Sequence, residues 1–148
     1  PISMYIDSPG GAVTAGLSIY NTMQAIGAPV HTYVTGQACS MGSFLAQAGA
    51  AGHRYVMPES RTMVHRVSSG TPGMQGTVNM QELQFEDIKR SFEESQRINK
   101  RLTELYEKHN SKGKTYDELI ETLKFDTFMS AEEAVEFGVA DHVFENGQ

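Results

Sequence analysis

Residues 5–23, YIDSPGGAVTAGLSIYNTM, decide the fold of this 148-residue chain. Apolar residues alternate over residues 2–6, as they do on one face of a β-strand. The segment Ser8-Pro9-Gly10-Gly11 then ends the strand, because proline lacks an amide donor and glycine allows a positive φ. Over residues 13–25 the apolar positions recur at steps of three and four, which predicts a helix. The stretch therefore predicts a strand, a tight turn and a helix.

The same unit is predicted a second time. Residues 31–34 form the next predicted strand, and residues 36–42, GQACSMG, a glycine turn that leads into a helix of small residues ending near Gly49. Residues 53–57 and 62–65 follow as two short strands rich in β-formers. Strands that alternate with helices imply a largely parallel sheet. The predicted fold class is therefore α/β, with repeated strand-turn-helix units.

The second half of the chain predicts a long helix after a loop. Residues 68–76 contain too many breakers for a helix and predict an exposed ribbon or loop, whereas residues 80–110 lack Gly and Pro. A helix of that length extends about 45 Å, so either part of it projects and buries its apolar face on another subunit, or all of it is a core helix with a solvated acidic face. A short helix over residues 116–123, a helix capped at Ser130 and a closing strand over residues 140–144 complete the prediction.

Composition excludes several classes of protein. With 39% apolar and 20% charged residues, residues 1–148 are expected to form one globular domain, and the strand that follows Pro1 at once predicts that an N-terminal segment is missing. The net charge of -6 has the wrong sign for binding phosphates, so no nucleic-acid partner is expected. One cysteine, and no run of about 20 apolar residues, predict a cytoplasmic protein with no membrane contact.

Ser40 is the candidate nucleophile. It lies where a glycine-rich turn becomes a helix, so the positive end of the helix dipole would face its hydroxyl. The alternative is an ordinary N-cap serine, which is common at that position. The string ACSMG lacks the first glycine of the G-x-S-x-G elbow, so an α/β-hydrolase is not indicated. Cys39, directly before Ser40, is interpreted as a buried packing residue.

His65 and Asp126 are the candidate base and acid. His65 ends a predicted strand, where a sheet presents polar groups to a cleft. Asp126 precedes the capped helix and is expected to be a partly buried loop carboxylate that accepts the second imidazole N–H of His65. Each residue taken alone also fits a structural role. The remaining histidines are expected to be surface residues: His31, His53, His109 and His142.

Backbone amides supply a candidate oxyanion hole. Gly10 and Gly11 offer unobstructed N–H groups after the first strand, and Met41 follows Ser40 at the start of a helix. The other interpretation of the two glycines is a turn that needs an unusual φ. The sequence contains no GxGxxG, Walker A or HExxH motif and no Cys or His cluster, so neither a cofactor nor a metal is expected.

Four separated strings, in order, make the chain resemble the proteolytic subunit of the Clp protease. They are YIDSPGGAVTAGLSIYNTM (5–23), GQACSMGSFLAQAG (36–49), SRTMVH (60–65) and DTFMSAEEAVEFGVAD (126–141). The resemblance implies a catalytic triad of Ser40, His65 and Asp126, with the amides of Gly11 and Met41 as the oxyanion hole. It also implies that an extended substrate pairs with two segments, represented by Gly10, Ala12 and Val13 and by Ser68, Ser69 and Gly70.

The resemblance further implies a ClpP/crotonase-type fold with a projecting handle helix and a serine endopeptidase activity. It implies a homo-oligomer of stacked seven-membered rings, into which an ATP-driven AAA+ unfoldase feeds unfolded polypeptide. ATP is then used by the partner, and this chain needs no cofactor of its own.

Three features depart from the family pattern: Arg66-Val67 replaces the usual Gln-Pro, the handle region is longer, and Lys124-Phe125 replaces an acidic-Arg pair. These departures put the substrate contacts after His65, the ring spacing and the ion pair between rings in question. Two other functions stay open from sequence, a crotonase-type acyl-CoA enzyme and an inactive subunit that only assembles.

Overall fold

A computed structural model describes residues 1–67 and 85–145 of the chain. Within these ranges six strands form one sheet, and five helices pack around it. In chain order the elements are β1 (Ile2–Ser8), α1 (Val13–Ala25), β2 (Val30–Cys39), α2 (Met41–Gln47), β3 (Arg54–Val56), β4 (Arg61–Val64), α3 (Phe85–His109), α4 (Tyr116–Leu123), β5 (Thr127–Met129), α5 (Ala131–Phe137) and β6 (His142–Val143).

The sheet is built around β2. Its strand order is β5-β4-β2-β3-β6, and β1 also pairs with β2. Strand β3 pairs with residues 32–34 of β2, and β4 pairs with residues 37–39. Every pairing is parallel except that between β4 and β5, which is antiparallel. The predicted α/β class with a largely parallel sheet is confirmed.

Two strand predictions are wrong in ways that concern the site. Strand β2 continues to Cys39, whereas the sequence predicts a turn over residues 36–42. Pairing of residues 37–39 with β4 satisfies backbone hydrogen-bonding groups that a turn would leave to water. The strand therefore continues to Cys39, directly before Ser40. Strand β5 is not predicted at all; it forms because its three residues pair with β4. The closing strand β6 is shorter than predicted.

The helix predictions agree more closely. Helices α1 and α4 have the predicted bounds, and α5 begins with the predicted capping box. There Ser130 Oγ accepts the Glu133 N–H at 3.1 Å, and the Glu133 carboxylate accepts the Ser130 N–H at 3.0 Å. Helix α3 is described from Phe85 onward, so the predicted helical residues 80–84 and the predicted ribbon over residues 68–76 lie outside the described residues.

Helix α3 has two different halves. Near its C-terminus Leu102, Leu105 and Tyr106 are buried in the core. Near the start of its described part Phe85 is 76% exposed and Phe92 51% exposed. The helix therefore packs on its own chain at one end and presents apolar side chains to water at the other, which fits a projecting helix better than a core helix.

A buried ion pair connects strand β3 to the ends of two helices. Arg54, on β3, is 3% exposed and binds Asp141, with Nε 2.8 Å from Oδ2 and Nη2 2.9 Å from Oδ1. Its Nη1 also donates to the carbonyl of Gln47, at the end of α2, at 3.0 Å, and to that of His109, at the end of α3. Burial alone would raise the pKa of Asp141, but the hydrogen bonds and charge of Arg54 outweigh burial and lower the pKa.

His109 is not the surface residue that the sequence predicts. It lies half-buried at the end of α3, with Nε2 2.8 Å from Tyr20 Oη. Burial, together with the charges of Lys108 and Arg54, lowers the pKa of His109 to about 4. His31 is also half-buried, with its ring stacked on that of His53 at 4.1 Å. The remaining two predictions hold, since His53 and His142 are exposed.

No helix in the described ranges combines the length and apolarity that a membrane crossing requires.

Candidate active site

Ser40 occupies a strained turn between β2 and α2. With φ 55° and ψ -119° it is the sole non-glycine residue with a positive φ among those described. Such conformations cost about 1–3 kcal/mol and cluster at functional sites. Its N–H donates to the Met63 carbonyl at 3.0 Å, and its carbonyl accepts the Phe44 N–H at 3.1 Å. Hydrogen bonds to β4 and to α2 therefore hold the turn in place. Ser40 does occupy the N-cap position of α2, as the alternative interpretation holds, but its side chain makes no capping hydrogen bond.

The sheet brings His65 and Asp126 to Ser40. Ser40 follows Cys39, which pairs with Met63, and His65 lies two residues beyond Met63 at the same edge. The pairing of Val64 with Thr127 places the preceding Asp126 beside His65. His65 Nε2 lies 2.8 Å from Ser40 Oγ, and His65 Nδ1 lies 3.0 Å from Asp126 Oδ1. Three side chains distant in sequence thus form one chain of hydrogen bonds.

His65 and Asp126 differ in burial. The His65 side chain is 28% exposed, whereas the Asp126 side chain is 63% exposed. The expectation of a partly buried carboxylate is therefore wrong, because Asp126 directly precedes β5, the strand at the edge of the sheet. A carboxylate hydrogen-bonded to Nδ1 orients the ring so that Nε2 faces the hydroxyl. Water around Asp126 weakens its charge interaction with the ring.

The glycine turn after β1 packs directly on Ser40. Gly10 has φ 104°, and a Cβ atom there would lie 2.9 Å from both the Cys39 carbonyl oxygen and Ser40 Cβ. The Gly10 N–H donates to Ser8 Oγ at 3.1 Å, and the Gly11 amide comes next in the turn. Met41 is the first residue of α2, so its N–H has no acceptor within the helix.

Two of the six predicted substrate residues, Gly10 and Ala12, line one cavity. A cavity of about 340 Å³ between β1, α1 and α2 is lined by Gly10, Gly11, Ala12 and Met41, among others. Val13 is instead packed against the hydrophobic core. The predicted contacts at Ser68, Ser69 and Gly70 lie outside the described residues. The structure therefore places both candidate oxyanion donors beside the same cavity.

A second cavity, which the sequence does not predict, is lined by His65 itself. It measures about 470 Å³ and is bounded by the segment after His65, by the loop around Asp126 and by one face of α3. The contribution of α3 comes from side chains one turn apart, Phe92, Ser95, Gln96 and Asn99. Helical spacing in the sequence marks these residues as one face, but nothing in the sequence places that face beside His65.

Cys39 is only partly buried, so its interpretation as a buried packing residue is wrong in degree. Its Sγ donates to Gln37 Oε1 at 3.4 Å. Burial raises the pKa of the Cys39 thiol, which keeps it protonated and poorly nucleophilic. The hydroxyl of Ser40, and not the thiol of Cys39, is hydrogen-bonded to His65.

Gly10→Ala is expected to slow any reaction of Ser40 by about 10- to 100-fold, because the new methyl group must displace the serine from His65. The rate of covalent labelling of Ser40 measures this effect. Gly27→Ala is the matched control, since a Cβ atom at Gly27 would meet no atom within 4 Å. Equal labelling rates in the two variants would contradict the role given to the turn.

The fold and the site together define the class of protein: an α/β protein with a Ser-His-Asp arrangement at the edge of a mostly parallel sheet. Comparison with known families identifies it more narrowly. The sequence model of the family described as Clp protease matches residues 1–147. The chain therefore belongs to the Clp protease family, as its sequence strings suggest, and is a ClpP-type peptidase subunit by descent.

Among the described residues, no three His, Cys, Asp or Glu side chains are grouped so that they could hold a metal ion.

Proposed function

We propose that this chain is a serine endopeptidase in which Ser40 is the nucleophile, His65 the general base and Asp126 the residue that orients His65. The observation that carries the proposal is the pair of hydrogen bonds that join Asp126 Oδ1 to His65 Nδ1 and His65 Nε2 to Ser40 Oγ, at 3.0 and 2.8 Å. The strained φ of Ser40 supports it, since strain of this kind is kept where function requires it.

The reaction follows from these positions. His65 Nε2 accepts the Ser40 hydroxyl proton as Oγ attacks the peptide carbonyl, and Asp126 stabilises the imidazolium that forms. The amides of Gly11 and Met41 donate to the oxyanion. His65 then protonates the leaving amine, which departs and leaves an acyl group on Ser40. A water molecule then attacks this ester and gives a proton to His65, which returns it to Ser40 Oγ as the acyl group leaves as a carboxylic acid.

Substrate is expected to lie extended between two strand-like edges. Gly10 and Ala12 line the cavity beside Ser40, and residues 68–70 would supply the facing edge. Pairing through backbone groups does not depend on side-chain identity, which suits an enzyme that accepts many unfolded polypeptides. The cavity lined by Gly10 and Ala12 would then receive a side chain of the substrate.

The working form in this proposal is a homo-oligomer of stacked heptameric rings, fed by an AAA+ unfoldase that consumes the ATP, while the chain itself needs no cofactor. Its compartment is the cytoplasm. The exposed apolar side chains of α3, Phe85, Ile88 and Phe92, support assembly, because a second copy that covers them would remove apolar surface from water. Family membership supports the ring and the unfoldase.

Labelling with a fluorophosphonate probe tests the catalytic proposal. The assembled full chain is expected to take up one probe at Ser40, located by intact mass and peptide mapping. Ser40→Ala is expected to lose the label and to lower peptide hydrolysis by about 10⁴- to 10⁶-fold. Ser18→Ala, which removes the same hydroxyl from an exposed position on α1, is expected to label like the wild type.

The contrary result is also informative. A folded, assembled wild-type chain that takes up no probe would contradict the serine mechanism. That result would favour an inactive ring subunit or an acyl-CoA enzyme that uses only the two backbone amides.

A further inference from the structure

One side chain of α3 holds the backbone just beyond His65. Asn99 Oδ1 accepts the Val67 N–H at 2.6 Å, and Asn99 Nδ2 donates to the Val67 carbonyl at 3.0 Å. Both polar groups of Val67 are therefore bound by the two ends of one amide. A second strand would satisfy the backbone in the same way, so Asn99 takes the place of a strand at the point where the sheet has ended.

The segment needs such support because its other restraints are few. Strand β4 ends at Val64, so no sheet pairing fixes His65 itself. The imidazole is 28% exposed, which leaves its ring only partly confined by packing. One further backbone bond, from the Arg66 N–H to the Leu123 carbonyl at 2.8 Å, ties the segment to the end of α4. The two anchors lie on consecutive residues directly after His65.

Asn99 is itself well placed to act as an anchor. It is half-buried and lies three residues before the buried Leu102. The Thr103 hydroxyl donates to the Asn99 carbonyl at 2.7 Å, within the part of α3 that packs on the core. The amide therefore extends from a fixed part of the helix, and its two hydrogen bonds restrain the position of Val67.

We propose that Asn99 is a positioning residue, which holds the strand end that carries His65 so that Nε2 stays within hydrogen-bonding distance of Ser40 Oγ. This inference rests on the proposed serine mechanism. It also links α3 to the chemistry, since any shift of the helix at Asn99 moves Val67 with it. A displacement of about 1 Å in a catalytic group can lower the rate about 10²-fold. The loss of the two hydrogen bonds to Val67 is therefore expected to lower the rate measurably.

Asn99→Leu tests the proposal, because leucine has a similar volume and neither hydrogen-bonding group. We expect kcat for a short peptide, and the labelling rate of Ser40, to fall about 10- to 100-fold, with KM little changed. Asn99→Asp keeps an acceptor for the Val67 N–H and loses the donor to its carbonyl, so an intermediate loss is expected. Asn21→Leu carries the same substitution at an exposed position of α1 and is the matched control.

Hydrogen exchange separates positioning from general damage. In Asn99→Leu the Val67 amide is expected to exchange faster, while the amides of α1 and β1 keep the protection of the wild type. A labelling rate equal to that of the wild type in Asn99→Leu would overturn the positioning role alone, and so would unchanged exchange at Val67. Loss of protection throughout the chain would also overturn it, since the fall in rate would then reflect unfolding. Absence of label in the wild type would instead overturn the serine mechanism and, with it, this role.

Discussion

Replacing His65 with alanine is expected to lower kcat for peptide hydrolysis by about 10⁴- to 10⁶-fold. The expectation follows from geometry, because His65 Nε2 lies 2.8 Å from Ser40 Oγ and is placed both to accept the hydroxyl proton and to return it to the leaving amine. Without the imidazole, the hydroxyl has no base to take its proton. The oxyanion donors on the backbone stay in place, so some residual activity over water is expected.

Release of a fluorophore from a short peptide, measured in single turnover on the assembled chain, reports this loss. A short peptide is the right substrate because its cleavage needs no unfolding step. His53→Ala is the matched control, since His53 is exposed and lies beside Thr32, near the end of β2 that is farther from Ser40. A loss below about 10-fold in His65→Ala would contradict the role of general base, which typically contributes about 10²- to 10⁴-fold.

The second large effect is on stability. Arg54→Ala is expected to lower the free energy of unfolding by about 3–5 kcal/mol, because it leaves the Asp141 carboxylate unpaired in a largely buried site. The carbonyls of Gln47 and His109 lose their donor at the same time, so the ends of α2 and α3 lose their link to β3. Equilibrium unfolding in urea measures the change.

Two comparisons make the stability experiment specific. Arg97→Ala removes an exposed arginine, whose pair with Glu94 lies on the surface of α3, and should cost about 0–1 kcal/mol. Acid should act through Asp141, whose folded-state pKa lies below its ordinary value. Its stabilisation is complete above the pKa of the unfolded carboxyl and is lost as the pH falls through the folded pKa, so Arg54→Ala should flatten this acid dependence. A cost in Arg54→Ala no larger than that in Arg97→Ala would contradict the structural role.

The features that the sequence determined by itself are those with local causes. Helix α1 begins after Ser8-Pro9-Gly10-Gly11 and ends at Ala25, just before the stop residues Gly27 and Pro29, as predicted. The capping box at Ser130 and Glu133 is likewise contained in four consecutive residues. The candidate residues Ser40, His65 and Asp126 are also recoverable from sequence, because each lies in a string typical of the family.

Features that depend on partners distant in the chain were decided only by the tertiary structure. Residues 37–39 are a strand because residues 61–63 pair with them, and β5 exists because β4 offers an open edge. Asp126 is exposed because it precedes this edge strand, and the positive φ of Ser40 is likewise visible only in the folded chain. Asn99 reaches Val67 across 32 residues of chain. Local propensity contains no information about such contacts, since each depends on a backbone or side-chain group that only the folded chain brings within bonding distance.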